Sequence, residues 1–165
     1  MSFTLIKNMA DNDKLPNSVL FYGNEEYYID YSAKYIKNKY IGKSYENMNY
    51  AEFEKPESLK DYFEFTDTFP FMSDKKLCIV KDAVFLTSAG SLDKKEEEKL
   101  SKYIDENKDC ITVFIIKDGK PDSRKKVVKK LKDMKAVFEF NRLNETELTK
   151  YIRDEFKKNS FSISM

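Results

Sequence analysis

Histidine is absent from the 165 residues of this sequence. Its absence excludes serine–histidine and cysteine–histidine catalysis, HExxH zinc sites and any histidine general base. Two possibilities remain: a protein without metal or enzymatic activity, or a site that is built from carboxylates and lysines.

Cysteine is scarce as well, and long apolar runs are missing. Cys78 and Cys110 are the two cysteines, and both lie in apolar, strand-like runs, so we expect buried free thiols. No apolar run approaches the roughly 20 residues that a membrane-spanning helix requires. The first 14 residues, MSFTLIKNMADNDK, contain acids too early for a signal peptide. The sequence therefore predicts a soluble cytoplasmic protein that does not bind membranes.

Charge is abundant but balanced, since 30 basic residues face 29 acidic ones. This balance gives no global attraction to nucleic acid or to a membrane surface. Hydrophobic residues make up 41% of the chain, so a packed core can form without disulfide bonds.

Five short apolar runs predict β-strands, at residues 18–22, 48–53, 76–81, 111–116 and 136–140. The first, third and fourth runs are almost continuously apolar, which is typical of parallel strands covered on both faces. Helical patterns fill the gaps: one carries Ile29, Ala33, Ile36 and Tyr40, and the others begin at Pro56, Ser91 and Pro121. Alternating strands and helices predict a three-layer α/β domain over residues 1–141.

A last helix is predicted after the fifth strand. Asn144 and Glu147 form a capping signature, and Leu148, Ile152 and Phe156 make a stripe at helical spacing. No strand follows, so residues 142–165 are expected to begin a helical second domain that is truncated here.

The first strand is followed by the place where a P-loop would lie. A working P-loop needs glycines, a lysine for the β- and γ-phosphates and a hydroxyl for magnesium. This chain has Gly23, Asn24, Glu25 and Glu26 instead. Both glutamates stabilise a helix N-terminus, by roughly 0.3–1 kcal/mol each, but they would repel a phosphate. We therefore expect a degenerate P-loop without nucleotide, metal or other cofactor.

Two other features keep the nucleotide alternative open. Gly42-Lys43-Ser44 resembles the end of a P-loop, but it follows a helix and lacks the preceding glycine, so a helix C-cap is sufficient reason for Gly42. Asp82 follows the third strand, where an acidic residue could serve a nucleotide site, but a role in a turn is favoured for it. A P-loop-related nucleotide-binding enzyme therefore stays an alternative that ATP titration can test.

An aromatic cluster precedes the third strand, in the segment EFTDTFPFMSDKKL. Phe69, Pro70, Phe71 and Met72 lie in its middle, and Pro70 forces Phe69 towards extended geometry. The cluster either folds inward as a satellite core or protrudes as a wedge for a partner's pocket. The flanking residues form a polar rim, which favours the surface; they are Asp67, Ser73, Asp74, Lys75 and Lys76.

A basic segment at residues 120–135 could contact DNA. Arg124, Lys125 and Lys129 are its candidate DNA-facing residues. The same cations surround apolar residues, as they would on any solvated amphipathic helix, and that interpretation is favoured. A DNA-binding module that uses this face is the third functional hypothesis.

Taken together, four segments resemble the N-terminal part of the delta subunit family of bacterial DNA polymerase III clamp loaders. They are VLFYGNEEYYIDYSAKYI, TFPFMSDKKLCIVKDAVFL, GKPDSRKKVVKKL and VFEFNRLNETELTKYIRDEFKKNSFSIS. No single motif is sharp, but their order and spacing together are specific. The resemblance implies an AAA+-like α/β domain that does not bind ATP, followed by the first helix of a lid domain.

The resemblance also implies a role and partners. The delta subunit binds the sliding clamp, the beta subunit, through a hydrophobic element before the third strand and helps to open it. Other clamp-loader subunits bind ATP, and primer-template DNA is reached through the assembled complex of the replicative polymerase. By position the element is Phe69–Met72, with Phe71 where the family commonly has a wedge aromatic and Pro70 where some members have leucine. The implied role is non-catalytic.

Overall fold

A computed structural model describes residues 2–142 together with residues 145, 148, 149 and 153. Its centre is a five-stranded parallel sheet in the order β2-β3-β4-β1-β5. The strands are β1 (Ser18–Gly23), β2 (Tyr50–Glu54), β3 (Lys76–Lys81), β4 (Cys110–Ile116) and β5 (Val137–Phe140). The five predicted strands are confirmed, with ends that differ by at most two residues.

Both faces of the sheet are covered by helices. Every residue of β4 is buried, as expected for a central parallel strand with helices above and below. The helices are α1 (Ser2–Asp11), α2 (Glu26–Tyr40), α3 (Glu46–Asn49), α4 (Lys60–Thr66), α5 (Lys94–Glu106) and α6 (Lys126–Asp133). Helices α1 and α2 pack together, and so do α5 and α6, while Tyr103 of α5 contacts Tyr62 and Phe63 of α4. The predicted α/β class is confirmed.

Helix starts were predicted less well than strands. α4 begins at Lys60 and not at Pro56, because Glu96 of α5 accepts hydrogen bonds from the Leu59 N–H and the Ser58 hydroxyl just before it. α6 begins at Lys126 and not at Pro121, since the segment before it forms a bridge from Pro121 to Thr87. Helix α1 was not predicted.

Two sequence expectations concern the rest of the chain. Cys78 and Cys110 are buried free thiols, as predicted. The predicted lid helix, with Asn144, Ile152 and Phe156, lies outside the described residues, so the boundary at 141/142 stays a prediction. No helix in the described part of the chain is long and apolar enough to cross a membrane.

Candidate functional site

The loop of residues 67–75, between α4 and β3, presents the predicted aromatic cluster to solvent. Phe69 is 85% exposed, Met72 74% and Phe71 48%, while Pro70 is half-buried. Of the two alternatives, the protruding cluster is the one observed, and Phe69, Phe71 and Met72 do not form a satellite core. Because the strands are parallel and the loop precedes β3, it lies at the amino edge of the sheet.

The start of this loop is held by a buried lysine. Lys76 is 2% exposed, and its ammonium group donates to the Phe65 carbonyl and, at 2.5 Å, to the Thr68 hydroxyl. It also lies 3.8 Å from the centre of the Phe65 ring. Burial lowers the pKa of Lys76, while carbonyl oxygens at the end of α4 stabilise its charge. Placing Lys76 in a polar rim was wrong, since it is an internal anchor.

The middle of the loop is held by Asn49, at the end of α3. Asn49 is 1% exposed; its Oδ1 accepts from the Phe71 N–H at 2.8 Å and its Nδ2 donates to the Phe71 carbonyl at 2.8 Å. The same Nδ2 donates to the Tyr45 carbonyl at 3.2 Å. The exposed Tyr45 ring meets the Phe71 ring edge-on, with 5.3 Å between centroids. We call Tyr45, Phe69, Phe71 and Met72 the apolar patch.

The end of the loop is tied to the connections that precede β1 and β4. The Lys75 ammonium donates to Asn17 Oδ1 at 3.3 Å and to the Lys108 carbonyl. Three polar anchors therefore fix a loop whose large apolar side chains face water. Neither Asn49 nor Tyr45 stands out in the sequence, because each contacts Phe71 from more than 20 positions away.

The degenerate P-loop position lies at the opposite, carboxyl edge of the sheet. Gly23 has φ +134°, and a Cβ there would lie 2.1 Å from the Phe140 carbonyl oxygen. The Glu25 N–H donates to that same carbonyl at 3.1 Å, and Asn24 Oδ1 accepts from the Arg142 N–H at 3.0 Å. The loop after β1 thus contacts the backbone of β5 and its exit, using an N–H group that a P-loop would offer to phosphate.

The charges beside this position also disfavour an anion. Glu25 precedes α2 and Glu26 is its first residue, as predicted. A cavity of about 180 Å³ next to them is lined by Glu26, Asp30 and Glu54 and by two lysines. Of these lysines, Lys117 is paired with Glu54 at 2.5 Å and Lys81 with Glu52 at 2.6 Å.

The two remaining nucleotide-like features are Asp82 and the Gly42 triplet. Asp82 has φ +52°, and its carbonyl accepts from the Val84 N–H at 2.7 Å, so it forms the predicted turn after β3. Gly42 was predicted to cap α2, and this prediction is wrong. The helix ends at Tyr40 with Ile41 as its cap, and Gly42 has an ordinary φ of −73°. Gly42 directly precedes a 3₁₀ turn, Lys43–Tyr45, which contains the other two residues of the triplet.

Some cations of the basic segment on and before α6 have partners within the domain. The Arg124 guanidinium donates to both oxygens of Asp122, at 3.0 and 2.8 Å. Lys125 donates to the Gly90 carbonyl at 2.7 Å, whereas Lys129 is exposed. The opposite side of α6 is buried, as an amphipathic helix requires. Two of the three candidate DNA-facing residues thus have partners within the domain.

The strand order and the altered loop after β1 define the class: an AAA+-like α/β domain. The family described as "DNA polymerase III, delta subunit" matches residues 19–141 of this chain. The chain therefore belongs to the DNA polymerase III delta subunit family.

Two individual relatives support this family assignment. The chain is 30% identical over 156 residues to the DNA polymerase III subunit delta of Bacillus subtilis (strain 168), which covers 92% of this chain and 44% of that protein. Its fold is similar to the solved Bacillus subtilis DNA clamp loader delta protein, with TM-score 0.81 and 25% identity, over 99% of this chain and 49% of that one. The chain thus spans about half the length of these relatives.

A second solved structure shares the fold alone. It is a Thermotoga maritima DNA polymerase III gamma subunit-related protein, with TM-score 0.52 and 15% identity, covering 96% of this chain and 52% of that one.

Proposed function

We propose that this chain is a clamp-loader component that binds a sliding clamp through the apolar patch and helps to open the ring. The observation that carries the proposal is Phe69, which is 85% exposed in a loop that polar side chains anchor at its start, middle and end. Exposing so large an apolar side chain is unfavourable in an isolated domain, whereas aromatic anchors dominate the energetics of interfaces.

Ring opening of this kind needs no bond chemistry. A protein that binds the open ring more tightly than the closed ring shifts the equilibrium by the difference in affinity. Truncating an aromatic anchor typically costs about 2–4 kcal/mol of binding free energy. Whatever part of that energy Phe69 and Phe71 gain only with the open ring shifts the equilibrium towards opening. The chain acts as a non-catalytic subunit in this scheme.

The domain binds its partner without ATP. The support is the contact of Gly23 and Glu25 with the Phe140 carbonyl, together with the glutamates at the start of α2. Other clamp-loader subunits bind ATP, and primer-template DNA is contacted through the assembled complex. Titration with MgATP should leave the melting temperature unchanged, and a saturable rise would instead support the nucleotide-binding alternative.

The experiment is calorimetric titration of the chain with the sliding clamp of the same organism. The test variant is Phe69→Ala/Phe71→Ala. The matched control is Tyr27→Ala/Tyr31→Ala, which removes two exposed aromatic rings from α2, away from the loop. Thermal melts establish that all three proteins are folded.

Saturable binding that is lost in the Phe69→Ala/Phe71→Ala variant and kept in the control is the expected result. Equal binding by all three proteins would place the interface elsewhere on the domain. Absence of binding by the unmodified chain, at concentrations where an intact delta subunit binds, would overturn the proposal for this chain.

A further inference from the structure

The side chain of Asn49 holds Phe71 in the way that a neighbouring strand would. Its amide accepts from the N–H and donates to the carbonyl of the same residue, with both distances 2.8 Å. An antiparallel partner residue would make the same pair of hydrogen bonds. One buried side chain thereby fixes both backbone polar groups of Phe71.

Nothing else in the backbone replaces this pair. Across residues 68–75, the described part of the chain shows no hydrogen bond between backbone groups; such bonds resume with the Lys76 N–H and the Asp109 carbonyl. The loop also passes through a strained point, because Met72 has φ +50°. A loop without a backbone ladder, carrying exposed apolar side chains, would otherwise sample many conformations.

We infer that Asn49 is a positioning residue for docking: it keeps Phe71 and Met72 in the orientation that a partner recognises. This inference rests on the proposed function, and it adds a residue that does not touch the partner. The contact also unites two segments, because the Nδ2 that holds Phe71 donates to the Tyr45 carbonyl as well. Tyr45 thereby joins the docking surface beside the Phe71 ring.

Loss of Asn49 should lower the population of the binding-competent loop. The apparent dissociation constant equals the intrinsic constant divided by the competent fraction. Removing two good hydrogen bonds from the middle of a loop that has no backbone–backbone hydrogen bonds is expected to raise the Kd about tenfold. The association rate should carry most of that change, because the partner must wait for the competent conformation.

The test compares Asn49→Ala with the unmodified chain in binding kinetics against the clamp and in hydrogen exchange of the free chain. Thr87→Ala is the matched control: Thr87 is also buried, donates to the Val84 carbonyl at 2.8 Å and accepts from the Ala89 N–H at 3.1 Å. It follows β3 and so lies at the other edge of the sheet. Asn49→Ser is the second variant in case Asn49→Ala does not fold.

The expected result has three parts. Asn49→Ala speeds exchange of the Phe71 amide without changing exchange in β3, slows association about tenfold and changes dissociation less than about threefold. Thr87→Ala lowers the melting temperature and leaves both rate constants unchanged.

Two results would overturn the inference while the proposed function stands. One is unchanged affinity for Asn49→Ala alongside loss of binding in Phe69→Ala/Phe71→Ala. The other is an equal loss of affinity in Asn49→Ala and Thr87→Ala, which would indicate a general effect of stability. If the unmodified chain does not bind the clamp, the proposed function fails and the inference fails with it.

Discussion

Replacing Gly23 by alanine tests whether the glycine that ends β1 serves the backbone or a phosphate. The residue has φ +134°, and an added Cβ would lie 2.1 Å from the Phe140 carbonyl oxygen, closer than any real contact. The obstacle is backbone of the adjacent strand β5, so no rotamer change can relieve it. β5 would have to move away from β1.

The expected loss of stability follows from two terms. A non-glycine residue in such a backbone region costs about 1–3 kcal/mol. Forcing packed elements apart costs about a further 1–3 kcal/mol. Gly23→Ala should therefore lower the free energy of unfolding by about 2–6 kcal/mol, measured by urea denaturation followed by circular dichroism.

Gly42→Ala is the matched control, because Gly42 has φ −73° and a Cβ there meets nothing within 4 Å. It should change stability by less than about 1 kcal/mol, in the stabilising direction. A loss below about 1 kcal/mol for Gly23→Ala would refute the argument. Close backbone packing would then not explain why a glycine ends β1, and phosphate binding after β1 would have to be reconsidered.

Three further predictions concern other parts of the domain. Burial raises the pKa of the Cys110 thiol from 9.0 to about 11, so the unfolded chain loses this proton at lower pH than the folded chain does. Loss of this proton should therefore lower the free energy of unfolding by about 2–3 kcal/mol as the pH rises from 9 to 11. Urea denaturation at a series of pH values measures the decrease, and Cys110→Ala should make it smaller. Tyr45→Ala should weaken clamp binding about three- to tenfold in calorimetry, through loss of its edge contact with Phe71. Lys129→Glu should leave clamp binding unchanged. If the unmodified chain binds DNA in a salt-dependent way and Lys129→Glu loses that binding in fluorescence anisotropy, the result would support the DNA-binding hypothesis.

Most of the sheet could be predicted from sequence because buried parallel strands are continuous apolar runs. CITVFII is buried at every position and needs no context to be recognised. Helix starts were less predictable, since they depend on side chains from elsewhere, such as Glu96 accepting from the Leu59 N–H. Helix α1 was overlooked although Ile6 and Ala10 lie four residues apart and are buried, a local signal that could have been used.

The site was predictable in its exposed part and not in its support. An apolar cluster around Pro70, between a helix and a strand, is visible as a local pattern. Its anchors are not, because Asn49 reaches Phe71 across 22 positions and a polar residue near a strand gives no sign of such a partner. Lys76 was misplaced for the same reason: a lysine predicts solvent exposure unless carbonyl groups from elsewhere surround it.

The two candidate sites lie at opposite edges of the sheet, so a change at one need not disturb the other. Gly23 ends β1 at the carboxyl edge of the sheet, and the 67–75 loop enters β3 at the amino edge, so the length of a strand, about 20 Å, separates them. The contacts of Gly23 and Glu25 with the Phe140 carbonyl are therefore remote from the Asn49 and Lys76 anchors. The same separation has a consequence for control. Under the proposed function, no nucleotide bound within this domain changes the 67–75 loop, so any control of the apolar patch has to come from outside the domain.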